Sequence, residues 1–187
     1  MKKQPQITEQ TKANLRNAFW TLYEQKPIEK ISIKEITDLA GYNRGTFYLY
    51  YKDVYDMFTQ IEDDLLNMVQ DLLDSISVDG ILDFSRQMSS IIEMSQTYSP
   101  YISLLVSDRG DPKFSARLKD MLRPLLDSVL FSSAQKEYTE CEKMYLSEFY
   151  LSGIIGAMGK WLEYPQISIE ELLNFMLPAI FGNSWRT

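Results

Sequence analysis

Ser32–Asp53 reads SIKEITDLAGYNRGTFYLYYKD, two short helical patterns divided by a glycine. Ser32 and Glu35 stand at capping-box spacing, where the hydroxyl accepts the N–H three residues on and the glutamate reaches back. Ile33, Ile36 and Ala40 fall on one face at helical spacing. Gly41 supplies the left-handed conformation that stops a helix without a Cβ clash. Asn43 then restarts the chain as an N-cap. Only a short second helix fits before Lys52-Asp53 opens a new pattern. Two short helices around a tight glycine turn predict a helix-turn-helix, whose second helix enters the DNA major groove.

The polar side chains of this stretch suit that use. Arg44 and Thr46 lie in the first turn of the second helix, where an arginine can read guanine O6 and N7 and a threonine methyl can touch thymine. The phenol of Tyr48 is placed to reach a phosphate oxygen. Ser32, Lys34 and Lys52 are candidates for phosphate pairing, helped by the free N–H groups of helix N-termini. Asn43, Gly45 and Tyr50 complete the expected DNA-binding set. Gly45 leaves room for DNA or, alternatively, for helix packing. Phe47 and Tyr51 are assigned to the core behind the motif.

At these residues the chain resembles the N-terminal DNA-binding domain of the TetR/AcrR family of bacterial transcriptional regulators. That pattern runs roughly as Thr-x-x-x-Ile-Ala-x-x-Ala-Gly-Val-Ser-x-Gly-Thr-Leu-Tyr-x-Tyr-Phe, with a lysine before the next helix. Here it stands as Ser32, Ile36, Ala40-Gly41-Tyr42-Asn43, Gly45-Thr46-Phe47-Tyr48, Tyr50-Tyr51 and Lys52. Three positions depart from it: Thr37 replaces a small alanine, Tyr42 a small aliphatic residue, and Val54 a frequent second lysine. The resemblance implies an all-α fold, a three-helix DNA-binding head followed by a helical body that binds a ligand and dimerises.

Charge supports the division independently. Met1 to Lys52 holds nine basic and five acidic residues, net +4, and the remainder holds 10 basic and 21 acidic, net −11. A basic head on an acidic body offers one end to phosphate and repels DNA from the rest. We therefore expect a DNA-binding domain over residues 1–52 and a regulatory domain over 53–187.

With 45% hydrophobic residues in 187, the chain can bury a real core. It shows neither a signal-peptide pattern nor an apolar run fit to span a bilayer, so a cytoplasmic location is expected. The single cysteine, Cys141, lies between two glutamates that should raise a thiol pKa, favouring an inert residue over a redox sensor.

Beyond the motif the pattern is helical throughout. A first helix over Thr8–Gln25 turns Leu15, Ala18, Phe19, Leu22 and Tyr23 inward. Asp53 caps a fourth helix to Ser75. The Asp79-Gly80 turn starts a helix through Ile81, Phe84, Met88, Ile91 and Met94. Ser99-Pro100 and Asp111-Pro112 each carry the cap-then-proline pattern of a helix start, and Pro124 should kink the helix from Pro112. Thr139 and Glu142 cap a helix to Glu163, and Ser168 with Glu171 cap the last, to Phe181. No period-two strand is expected.

In the body, Ser152, Gly153, Gly156, Ala157 and Lys160 share one helix face, with Trp161 beside it and Leu172, Met176 and Ile180 on the last helix. Two such helices from each chain can build a four-helix homodimer interface; the alternative is intrachain core. Family members enclose an inducer pocket in this region. Phe84, Met88, Met94, Tyr98, Tyr101, Met121 and Phe149 are its candidate lining here, flexible methionines suiting an irregular apolar effector. Core packing is the other reading of these residues.

An enzyme is not expected. Histidine is absent, and no phosphate loop, zinc spacing or nucleophile elbow occurs, so no catalytic residue, metal or cofactor is assigned. The expected protein is a ligand-responsive repressor that binds double-stranded DNA as a homodimer on a palindromic operator, without a membrane partner. A protein-interaction adaptor of the same fold is the alternative.

Overall fold

The computed structural model describes residues 5–78, 81–82, 88–107, 110–131 and 137–181. Helices dominate them: α1 (Pro5–Tyr23), α2 (Ile33–Ala40), α3 (Arg44–Tyr48), α4 (Val54–Ile76), α5 (Met88–Val106), α6 (Pro112–Phe131), α7 (Glu140–Glu163) and α8 (Ile169–Phe181). Two compact units divide the chain, Met1–Asn67 and Met68–Thr187, the boundary falling inside α4. The first unit thus runs past the expected limit at residue 52. Val54, Met57, Phe58, Ile61 and Leu65 of α4 are buried in it and complete its core.

That core is aromatic. Phe19 and Tyr23 of α1 stack at 5.5 Å between centroids, and Tyr23 meets Phe58 of α4 at 5.1 Å. Leu15, Ile36, Phe47 and Met57 are fully buried with them. Side chains of Phe or Tyr size bury 150–250 Å² each, so a few rings suffice to hold so small a unit together. Arg16 ties the periphery, donating from Nε to the Tyr51 hydroxyl at 3.2 Å and from Nη2 to Asp64 at 2.5 Å.

In the second unit α7 packs against α5 and α6, and α5 against α8. Leu105, Phe114, Leu126, Leu151 and Leu177 form its interior. Local caps set its boundaries. Thr139 and Glu142 make a reciprocal capping box at α7, while Ser168 and Glu171 exchange side chain-to-backbone bonds of 2.8 and 3.1 Å at α8. On the outside, Lys119 and Arg123 of α6 both reach Glu148 of α7, at 2.6 and 3.3 Å. Lys119 first, then Ser152, holds that carboxyl below its ordinary pKa.

Two expectations for the elements need correction. Ile81 does not begin a helix: Ser77–Val78 and Ile81–Leu82 pair antiparallel, and α5 starts only at Met88. Phe84 lies outside the described residues. Pro100 does not start a helix either; it lies exposed within α5. Met94, Ser95, Ile102 and Val106 make one inward stripe across it, and burying that stripe offsets the lost backbone bond. Pro124 falls inside α6, as expected from its place in the helix from Pro112.

Gly41 has φ 76° and ψ 28°, left-handed, with nothing within 4 Å of an added Cβ. The cost of a side chain there is therefore conformational rather than steric. Gly41→Val should destabilise the head by about 1–2 kcal/mol, and Gly41→Asn by clearly less, measured by urea unfolding; equal stability of the three would refute the strain.

Candidate nucleic-acid interface

The interface is built from the caps outward. The Ser32 hydroxyl accepts the Glu35 N–H at 3.3 Å, and Glu35 Oε2 accepts the Ser32 N–H at 3.0 Å. Lys26 adds an ion pair to Glu35 at 2.5 Å. That lysine, then the serine, hold the Glu35 carboxyl down to about 2. Lys34, next to Glu35 in the first turn of α2, is exposed.

After Gly41 the Tyr42 N–H donates to the Thr37 carbonyl at 2.8 Å. The Asn43 side-chain oxygen then accepts the Thr46 N–H at 2.9 Å and lies 3.3 Å from its hydroxyl. The Asn43 amide and the Thr46 N–H and hydroxyl thereby start α3, bonds that do not involve the Thr46 methyl expected to touch a base. A Cβ on Gly45 would sit 3.1 Å from that same Asn43 oxygen. Room for the cap is thus a local reason for glycine, and packing between helices is not.

Along α3 only Phe47 is buried. Arg44 and Gly45 are exposed, Tyr48 is 58% exposed, and Tyr50 is half-buried. Lys52 follows, its N–H donating to Asp56 at 2.8 Å and its side chain outward. Among the described residues Arg16 and Lys26 are tied to carboxylates, whereas no carboxylate engages the side chains of Lys34, Arg44 or Lys52. Leu49, 62% exposed beside Tyr48, was missed by sequence reasoning; a period-based core assignment has no term for an apolar residue turned outward. Also missed was the 3.0 Å bond from Asn14 Nδ2 to the Tyr42 hydroxyl, joining α1 to the turn.

The second unit contains a cavity of about 180 Å³, lined from α4 to α8 by Val69, Leu72, Met94, Ile102, Val106, Leu118, Leu122, Ile154, Ile155, Met158, Leu162 and Ile169. Ser95, the one polar lining residue among those described, spends its hydroxyl on the Ile92 carbonyl. Met94 is the member of the expected lining found there. Tyr98, Tyr101 and Met121 are half-buried outside it, and Met88 opens α5 with its side chain outside the described residues. Phe149 points away at 71% exposure. On a 3.6-residue period, Leu151 and Ile155 take the inner face of α7 and leave Phe149, Gly153 and Gly156 the outer one.

The expected dimer residues separate likewise. Gly153 and Gly156 are exposed with nothing within 4 Å of an added Cβ. Ala157, Met176 and Ile180 are half-buried, and the half-buried Trp161 donates its ring N–H to the Ile167 carbonyl at 2.8 Å. Leu172 is a correction: it is buried within its own unit, because it shares the inner face of α8 with Ile169. The outward position belongs to Phe175, 73% exposed.

Residues 83–180, more than half of the chain, match the TetR-type family described as "Transcriptional regulator C-terminal region". The chain belongs to the TetR family of transcriptional regulators. It is also similar, at 30% identity over 59 residues, to the uncharacterized HTH-type transcriptional regulator YxbF of Bacillus subtilis (strain 168). That match takes in 32% of this chain and 16% of the relative's length. Among solved structures, a TetR transcriptional regulator from Streptococcus agalactiae 2603V has a similar fold, with TM-score 0.63 and 23% identity over 94% of this chain and 96% of that one. The dihydroxyacetone kinase operon activator DhaS is a second such neighbour, with TM-score 0.57 and 17% identity over 91% and 93% of the two chains. No helix among the described residues is long and apolar enough to cross a membrane.

The Glu35 cap makes the head acid-sensitive in a definite window. Its folded pKa lies below the ordinary 4.5, so its stabilisation is complete above that value and is lost as pH falls through about 2. A carboxyl NMR titration should place the Glu35 midpoint near the lower value, and Lys26→Met should raise it. A midpoint at the ordinary value in the wild type would refute the cap.

Proposed function

We propose that this TetR-family chain is a ligand-responsive DNA-binding repressor that acts as a homodimer on a palindromic operator. The observation that carries the reading is the set of uncompensated cations Lys34, Arg44 and Lys52, together with exposed Tyr48, around a capped helix that buries only Phe47. Arg44 is the base reader; Lys34, Tyr48 and Lys52 hold phosphates; Asn43, Gly45 and Thr46 shape the start of the helix. Ser32 and Tyr50 are supporting backbone contacts. Occupation of a promoter by a compact dimer suffices for repression, although one fold neighbour bears the name of an activator.

A second copy fits the outer face of α7 and α8. Phe149 and Phe175 are more than two-thirds exposed there, at 71% and 73%, and the open strip at Gly153 and Gly156 permits close approach of another helix. Two copies would put two heads over successive half-sites. The cavity in the body would take a small uncharged apolar effector, since its walls are hydrocarbon and the Ser95 hydroxyl is already used. Such a ligand can alter DNA binding only through different affinities for two arrangements of the heads.

Duplexes selected by the protein from a random pool test the interface. Arg44→Ala should weaken the selected duplex by about 1–3 kcal/mol and relax base preference at one position. Lys52→Ala should weaken all duplexes alike and lower the salt slope by about one. Failure of the wild type to select any duplex would end the DNA-binding reading.

Assembly is tested at Gly156. An added side chain meets nothing within its own chain, so Gly156→Glu should leave helicity intact and disrupt only a contact with a second copy. Sedimentation should show dimers for the wild type and monomers for the variant at micromolar concentration. Dimers of unchanged affinity in the variant would place the interface elsewhere.

A further inference from the structure

We infer that Asn14 and Tyr42 are a positioning pair that sets the angle at which α3 meets DNA, a role that rests on the reading of α3 as the recognition helix. Asn14 Nδ2 donates to the Tyr42 hydroxyl at 3.0 Å across 28 residues of sequence. The amide is itself oriented, because its oxygen accepts from Gln10 Nε2 at 3.0 Å. Tyr42 stands between left-handed Gly41 and the cap Asn43, and its N–H is fastened to the Thr37 carbonyl of α2 at 2.8 Å. One residue thus binds the turn to α2 by its backbone and to α1 by its phenol.

That double fastening matters because α3 has five residues and buries only Phe47. So short a helix has no independent stability and takes its direction from what holds its two ends. Phe47 anchors the far end in the core. Before the near end, Asn14–Tyr42 is, among the described residues, the one side-chain bond from the turn to another helix. A small aliphatic residue at position 42, as in the family pattern, could not make it. Loss of the bond leaves the phosphate-pairing cations in place but frees the pitch of α3. Base readout demands fixed geometry, whereas attraction to phosphate does not. The pair therefore controls discrimination rather than bulk affinity.

The test compares Tyr42→Phe, Asn14→Ala, the double variant and Asn14→Asp, whose carboxylate still accepts the phenol O–H. Affinities are read by fluorescence anisotropy on two duplexes, the best one selected by the wild type from a random pool and a random-sequence one of equal length. Tyr42→Phe and Asn14→Ala should each lose roughly three- to tenfold on the selected duplex, the worth of one neutral hydrogen bond. Neither should change on the random one, and the double variant should lose no more than either single. Asn14→Asp should restore the ratio of the two affinities, its added charge weakening both duplexes alike. Unchanged affinity of Tyr42→Phe for the selected duplex overturns the proposal. Equal losses on both duplexes, with or without a fall in melting temperature, overturn it too, making the tyrosine a phosphate contact or a fold determinant. A wild type that selects no duplex would remove the recognition helix itself, an outcome distinct from a failure of the pair.

Discussion

The burial of Phe47 and Tyr51 against the head's aromatic core is the contact on which the exposed surface of α3 depends. Five residues of helix cannot form alone, since nucleation fixes several residues for the first hydrogen bond. The Asn43 cap supplies one of the missing backbone partners at the start. The two rings, 5.4 Å apart, supply apolar burial at the end. With its inner side so held, α3 leaves Arg44, Tyr48 and Leu49 outward. The core on the other side continues into α4, which is why the compact unit does not stop where the recognition motif does.

Charge is divided by the same scaffold. Arg16 and Lys26 are bound to Asp64 and Glu35 and serve the fold, while Lys34, Arg44 and Lys52 have no such partner. The positive charge left free in the head therefore includes these three exposed side chains, whereas the paired cations are neutralised where they stand. In the body the pairs of Lys119 and Arg123 with Glu148 link α6 to α7 at the surface. Such exposed pairs contribute little to stability, and the interior leucines and Phe114 hold that unit.

Helix α7 works on two sides at once. Its inner face gives Leu151 and Leu162 to the core and Ile154, Ile155 and Met158 to the cavity, and its outer face carries Phe149, Gly153 and Gly156. A helix with apolar residues all round needs a second covering surface or an interior position. Among the described residues, the chain's own helices cover the inner face and leave Phe149, Gly153 and Gly156 exposed.

What the sequence determined by itself is local. The capping boxes at Ser32/Glu35 and Thr139/Glu142, the left-handed Gly41, the Asn43 cap and the ends of α7 and α8 were legible because each involves groups within four residues of one another. The family pattern added the order of the head's helices. Tertiary structure decided what depends on distant neighbours. Pro100 passed from helix start to helix interior because the packing stripe of α5 runs across it, and Ile81 entered a β pair. Phe149 moved from expected pocket to surface and Leu172 from expected interface to core, since an apolar residue on an all-round apolar helix does not encode which neighbour covers it. The Asn14–Tyr42 bond lay equally beyond reach: the unusual tyrosine was visible in the sequence, but its partner stood 28 residues away on another helix, and only the folded chain brings the two together.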